Sequence, residues 1–215
     1  RLPATLKLAT AGTVVALLIA IPLGINAAVH QNKWRDSGSM VIGLLGLSIP
    51  TFWLGLLMII LFSLKLGWFP SIGDTTPLSI VLPAITVGSG QAALTMRTTR
   101  SSMLEVIRQD YLRTARAKGV SEKVVINKHA FRNALIPILT VIGTQFGVAM
   151  GGAVMTETVF AWPGVGRLLV DSISNRDTQM VTGAIILTTM LSSIVILMVD
   201  IAYAFVDPRI KARYT

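Results

Sequence analysis

The 215-residue chain has no cysteine, which excludes disulfide frameworks, thiolate metal sites and cysteine nucleophiles. Charge is scarce as well: 13% of the residues are Asp, Glu, Lys or Arg, against roughly 25% in a soluble globular domain. Too few charges remain to coat a water-facing surface, while 53% of the residues are hydrophobic and the mean hydropathy is +0.69. The bilayer is the natural solvent for such a composition.

Acidic residues are the scarcer sign, with 10 Asp+Glu against 19 Lys+Arg and a net charge of +9. Such a surplus suits nucleic acid, anionic lipid or the cytoplasmic ends of membrane helices, and the placement of the charges decides among them. No Walker-type phosphate loop occurs, and the two histidines, His30 and His129, do not form an HExxH pattern. Nucleic acid is excluded as a partner, because the basic residues flank apolar runs or fill one loop with no recognition motif. The chain begins at Arg1 and shows no signal-peptide pattern.

Five apolar runs are long enough to cross a hydrocarbon core of about 30 Å, over 8–29, 40–64, 78–96, 135–155 and 181–206. Asp200 is the single acidic residue well inside one. Of the 19 basic residues, 14 fall in the loops after the first and third runs or after the fifth. The positive-inside rule makes that side cytoplasmic, so the chain enters from outside and its C-terminus lies inside. An odd number of spans with an external start implies a preceding sixth helix. Within the spans, Gly12, Ala16, Ala20 and Gly24, and again Gly143, Gly147 and Gly151, recur at intervals of four, the spacing of tight helix contacts in lipid. Gln91 and Gln145 suit interhelical hydrogen bonds or the lining of a pathway. Pro22, Pro50 and Pro83 are expected to kink or start helices.

The polar segment 105–133 differs from the rest. Leu104, Ile107, Tyr111 and Ala115 share one helical face, which predicts an amphipathic helix. Gly119 suits a left-handed helix end, and Ser121 followed by Glu122 suits the start of a second short helix. A basic amphipathic helix can lie on anionic lipid, but that needs neither a glycine turn nor a second helix. A rigid projection that docks into a soluble partner accounts for both.

The run Tyr111-Leu112-Arg113-Thr114-Ala115-Arg116-Ala117-Lys118-Gly119, followed by His129-Ala130-Phe131-Arg132-Asn133-Ala134-Leu135-Ile136-Pro137, resembles the cytoplasmic signature of type I ABC importer permeases. The general signature reads Glu-Ala-Ala, three residues, Gly, nine residues, then Ile-x-Leu-Pro. Here Arg113-Thr114-Ala115 and His129-Ala130-Phe131-Arg132 take the places of its two ends, as in the dipeptide, oligopeptide and nickel subfamily. Ser48-Ile49-Pro50-Thr51-Phe52-Trp53, Glu157-Thr158-Val159-Phe160-Ala161-Trp162-Pro163-Gly164-Val165-Gly166 and Asp207-Pro208-Arg209 extend the resemblance along the chain.

The resemblance implies an all-α transmembrane domain over 1–206, with a cytoplasmic coupling segment at 105–133 and a cytoplasmic tail at 207–215. It implies a bacterial inner-membrane subunit that pairs with a second, homologous permease and two cytoplasmic ABC ATPases, is fed by an external solute-binding protein, and imports peptides or related solutes. ATP and Mg²⁺ are then held by the partner ATPases, and this chain binds no cofactor and performs no catalysis. The short helix after Gly119 becomes the coupling helix. The ATPase-coupling residues are Arg113, Thr114, Ala115, Ala117, Lys118, Gly119, Val120, Ser121, Glu122, His129, Arg132 and Asn133. Phe160, Trp162, Pro163 and Gly164 fit an interfacial anchor, an external gate or a docking surface for the binding protein. An ion-coupled secondary transporter is the competing reading, with Asp200 as its lone intramembrane ionisable group.

Overall fold

In lipid every backbone polar group must be satisfied within the chain, so each long apolar run becomes a helix. The computed structural model describes residues 1–151 and 153–206, and among them all regular structure is helical. Helix α1 (Leu2–Val29) passes through Pro22 without ending. Helices α2 (Trp34–Ser48) and α3 (Thr51–Met58) follow, the latter continuing as a π-helical stretch over Ile59–Lys65. A 3₁₀ turn at Pro77–Ile80 leads into α4 (Val81–Ile107), which places Pro83 in the first turn, where its missing N–H costs nothing. The rest comprises α5 (Asp110–Ala117), α6 (Glu122–Val124), α7 (Phe131–Met150), α8 (Val154–Val159), α9 (Val165–Ser174) and α10 (Thr178–Val206). The side chain of Asp200 and residues 207–215, with Asp207-Pro208-Arg209, lie outside what is described.

Among the described residues, four helical stretches are long and apolar enough to span a membrane on their own: Leu2–Val29, Pro77–Ile107, Glu122–Met150 and Thr178–Val199. The expected second run is bent: Trp34–Gly46 and Thr51–Lys65 meet at 94°, and the pair brings the candidate spans to five when it is counted as one. Ile49 is extended (φ −87°, ψ 119°), the conformation a residue before proline is pushed into, so the helix stops there rather than kinks.

Small residues set the packing. Helices α1 and α4 run parallel at close range: a Cβ on Gly12 would lie 2.7 Å from Val87 Cγ1, and one on Gly24 would lie 2.9 Å from the Met96 carbonyl oxygen. Ala16 and Ala20 are buried between them. Helix α10 runs antiparallel along α7, with Gly143, Gly147 and Gly151 facing Val199, Ile196 and Ser192 in turn. Side chains this small let backbones gain dispersion contact where lipid supplies no hydrophobic drive. The outer face of α10 presents Ile186, Met190, Leu197 and Met198, an apolar surface suited to acyl chains.

The two ends of the bundle differ. One gathers the start of α1, the segment before α4 and the α8–α9 corner; the other gathers the α1–α2 turn and the chain between α4 and α7. All the basic residues between Arg97 and Arg132 belong to this second, basic end.

Candidate functional site

Helix α4 stops at Arg108, and Gln109 is extended (φ −73°, ψ 144°), so α5 starts in a new register. The single amphipathic face expected across Leu104, Ile107, Tyr111 and Ala115 is therefore interrupted. Leu112 becomes the buried residue of α5 at 0% exposure, and Tyr111 turns outward to accept a hydrogen bond from Asn133 Nδ2 at 2.8 Å. Asn133 also donates to the His129 carbonyl. Leu112 packs with Ala28, Met103, Val125, Ile126, Ala130 and Ile138, so α5 is seated on the ends of α1, α4 and α7.

After α5 the chain turns at Gly119, whose φ of +79° is the left-handed conformation glycine adopts without penalty. The Gly119 N–H donates to the Arg116 carbonyl at 2.9 Å and the Val120 N–H to the Ala115 carbonyl at 3.3 Å, the paired bonds of a Schellman end. Arg116 Nε and Nη2 each donate to a Glu122 carboxyl oxygen at 3.0 Å, bridging the turn with a two-pronged ion pair. The guanidinium holds the Glu122 carboxyl below its usual range, and the carboxyl in turn raises Arg116. Arg113, Thr114, Ala117, Lys118, Gly119, Ser121 and Glu122 are exposed around this elbow, whereas Ala115 and Val120 face its apolar base.

Beyond the turn the chain departs from expectation. Ser121 does precede the first helical residue, but no separate short helix forms. Helix α6 runs through π-helical Val125–Ala130 directly into α7, giving one stretch from Glu122 to Met150. Burial of Val125, Ile126 and Ala130 explains this, because the apolar spacing of α7 already starts there. The short independent helix lies before Gly119, and His129, Arg132 and Asn133 sit on the side of the long helix.

At the opposite end the sequence reading missed a side chain. Glu157 is 0% exposed, and its carboxyl group accepts from Thr5 Oγ1 at 2.7 Å and from the Arg167 N–H at 3.1 Å. Thr5 in turn accepts from the Val165 N–H at 2.8 Å, linking α1, α8 and α9. A Cβ on Gly164 would overlap the Glu157 carboxyl group, and one on Gly166 would lie 2.8 Å from Val154 Cα. An acidic residue shortly before Trp162-Pro163-Gly164-Val165-Gly166 was the available signal. Phe160 and Trp162 are 1% and 0% exposed, and Trp162 Nε1 donates to the Ala4 carbonyl at 2.8 Å. Both rings fill the space beneath the α8–α9 corner.

A partly buried ion pair also went unread. Arg100 donates to both Asp36 carboxyl oxygens at 2.7 Å, and the Asn32 N–H caps Asp36 at 3.0 Å, fixing the start of α2 against α4. Between the two ends, Gln91 accepts from Thr13 Oγ1 at 3.2 Å, an interhelical bond. Gln91 and Gln145 also line one cleft of about 310 Å³.

Residues 20–212 match the model of the family described as "Binding-protein-dependent transport system inner membrane component". Over 213 residues the chain is 44% identical to the glutathione transport system permease protein GsiC of Escherichia coli strain K12, covering 99% of this chain and 70% of that protein. The Pectobacterium atrosepticum protein of the same name is 44% identical over 198 residues, 92% of this chain and 65% of that one. Among solved structures, a chain of the MetNI methionine ABC transporter in an inward-facing conformation superposes with a TM-score of 0.81 at 18% identity, covering 95% of this chain and 93% of that one. A chain of an amino acid ABC transporter crystallised with histidines gives 0.69 at 13%, with 93% and 89% covered.

Proposed function

The chain belongs to the family of binding-protein-dependent transport system inner membrane components, and from that premise we propose that it carries short peptides of the glutathione kind across the membrane. It is a permease subunit of a binding-protein-dependent importer, a transport component rather than an enzyme. The ion-coupled alternative falls with that membership.

The partners are a second, homologous permease, two cytoplasmic ATPases that hold ATP and Mg²⁺, and an external solute-binding protein. The observation that carries this reading is the elbow at Gly119: a polar, exposed turn on an apolar base, at the end of the bundle where the basic residues concentrate. Basic loops mark the cytoplasmic side, so the elbow and residues 207–215 face the ATPases. Because α6 is fused to α7, the contact is made by α5 and the Gly119 turn, with Arg113, Thr114, Ala117, Lys118, Ser121 and Glu122 at the surface. A lever must be rigid to bias two states differently, and burial of Leu112 with the Arg116–Glu122 bridge supplies that rigidity.

The test is reconstitution of the chain with its companion permease, ATPases and binding protein in liposomes, followed by uptake of radiolabelled glutathione and dipeptides. ATP-dependent uptake of glutathione or another short peptide is expected. Assembly of the complex with no peptide uptake would overturn the assignment of solute, and failure of the ATPases to copurify would overturn the assignment of partners.

A further inference from the structure

We propose that the cleft between α4, α7 and α8, beside the start of α3, is where this chain contacts the solute, and that it binds the solute's neutral amide groups through Gln145, Gln91 and Thr51. The inference rests on the importer reading and assigns residues to it. Helices α2 and α3 meet at 94°, and Thr51, the first residue of α3, lines the cleft together with Gly90 and Gln91 of α4 and Gln145 of α7. Irregular backbone at membrane depth is tolerated where it is buried in protein or lines a water-filled cavity. A break stabilised by Pro50 beside a cleft of about 310 Å³ fits the second case.

The lining has a consistent chemistry. Its polar groups are carboxamides and hydroxyls, from Gln91, Gln145, Thr51 and Thr156, and it contains no charged side chain. Carboxamides both donate and accept, which matches the paired N–H and C=O of a peptide bond. Gln91 is held in place by the hydroxyl of Thr13, so its amide is oriented before the solute arrives. A volume near 300 Å³ is at the lower end of small-molecule sites, the size for a short peptide or part of one. Charged termini must then be met elsewhere along the path.

Gly90 supplies an independent observation. A Cβ on Gly88 would lie 2.6 Å from the Gly12 carbonyl oxygen, so that glycine is required by helix packing. A Cβ on Gly90 would meet only Thr51 Cγ2, at 3.8 Å. No neighbouring helix demands a glycine there; what the missing side chain leaves open is the cleft. Val148 and Met155 on its rim are 70% and 61% exposed, so the cleft opens on a face that another subunit can close.

The experiment uses the complete reconstituted importer with radiolabelled glutathione and a neutral dipeptide as probes. Gly90→Leu should still copurify with the companion permease and the ATPases but lose uptake, because its side chain fills the cleft. Gln145→Leu should raise the KM for uptake about threefold to tenfold, the effect of losing one hydrogen bond to the solute. As this sequence has no cysteine, labelling of Gly90→Cys can be read on this subunit after it is separated from its partners, and solute-loaded binding protein with ATP should slow its reaction with a small thiol reagent. Unchanged uptake by Gly90→Leu, or equal labelling of Gly90→Cys with and without solute, overturns the cleft while leaving the importer intact. Absence of uptake in the unaltered complex overturns the importer reading itself, and this inference with it.

Discussion

The two ends of the bundle solve the same problem, turning the chain back toward the membrane, by opposite means. At the α8–α9 corner the turn is sealed: Glu157, Phe160 and Trp162 are buried, and hydrogen bonds of Glu157 and Trp162 reach residues more than 150 positions away in α1. At the elbow the bonds across the Gly119 turn join residues within six positions, the longest polar tie of α5 being Asn133 to Tyr111, and only the underside is buried. A turn held by distant partners cannot shift without loosening the bundle, whereas one held locally can be gripped and moved as a unit. The difference separates an end that closes the structure from an end suited to transmit force.

The contrast breaks most easily at Glu157. Glu157→Ala leaves the Thr5 hydroxyl and the Arg167 N–H without their acceptor in a dry site, at a cost of about 3 kcal/mol or more. Thermal unfolding of the purified protein in detergent should shift strongly downward; an unchanged transition would show that the corner is not sealed through this carboxyl group. Next in size is the partly buried pair Asp36–Arg100, where removing one partner costs less than the roughly 3 kcal/mol of a fully buried pair. Arg100 keeps some exposure, so Asp36→Ala should lower stability by less than Glu157→Ala, as read in the same melt.

Gly119→Val tests the other end. Positive φ costs a non-glycine residue roughly 1–2 kcal/mol, and more if it is β-branched, but a Cβ there meets nothing within 4 Å. The detergent melt should therefore fall by less than in Glu157→Ala, by the backbone strain alone, while binding-protein-stimulated ATP hydrolysis is largely lost. Gly119→Asn, which tolerates the left-handed region, should restore most of it. A large loss of stability with normal stimulated hydrolysis would reverse the comparison drawn between the ends.

The smallest effect belongs to Arg116–Glu122. Both side chains are substantially exposed, so the pair contributes about 0.5 kcal/mol or less after screening by solvent. Glu122 has a depressed folded-state pKa, so its contribution is present above the ordinary carboxyl pKa and lost as pH falls through the depressed value. Proteolysis at the elbow should accelerate at acid pH in the unaltered protein and be pH-independent by this route in Glu122→Gln.

Much of this architecture could be read from the residues. Apolar run length located the spans, because a helix crossing lipid needs a minimum number of residues whatever its neighbours are. The left-handed turn at Gly119 was legible because it depends on local sterics, and the four-residue spacing of Gly143, Gly147 and Gly151 marked a helix contact while leaving α10 unnamed as the partner. Tyr111 was misplaced because the reading carried one helical register through Arg108 and Gln109, where the backbone resets. The fusion of α6 to α7 escaped notice because Ser121 is a good helix start for a helix of any length.

The sequence alone thus determined where the chain enters lipid, which loops are basic and where a left-handed turn must fall, since each follows from composition or from sterics within a few residues. Only the tertiary structure decided that α1 runs parallel to α4, that the second span breaks at 94° beside a cleft, and that Glu157 is buried against Thr5. Those features depend on groups brought together from far apart in the chain. A carboxyl group becomes a latch only when a distant hydroxyl lies within hydrogen-bonding reach, and a glycine opens a cleft only when the neighbouring helix bends away.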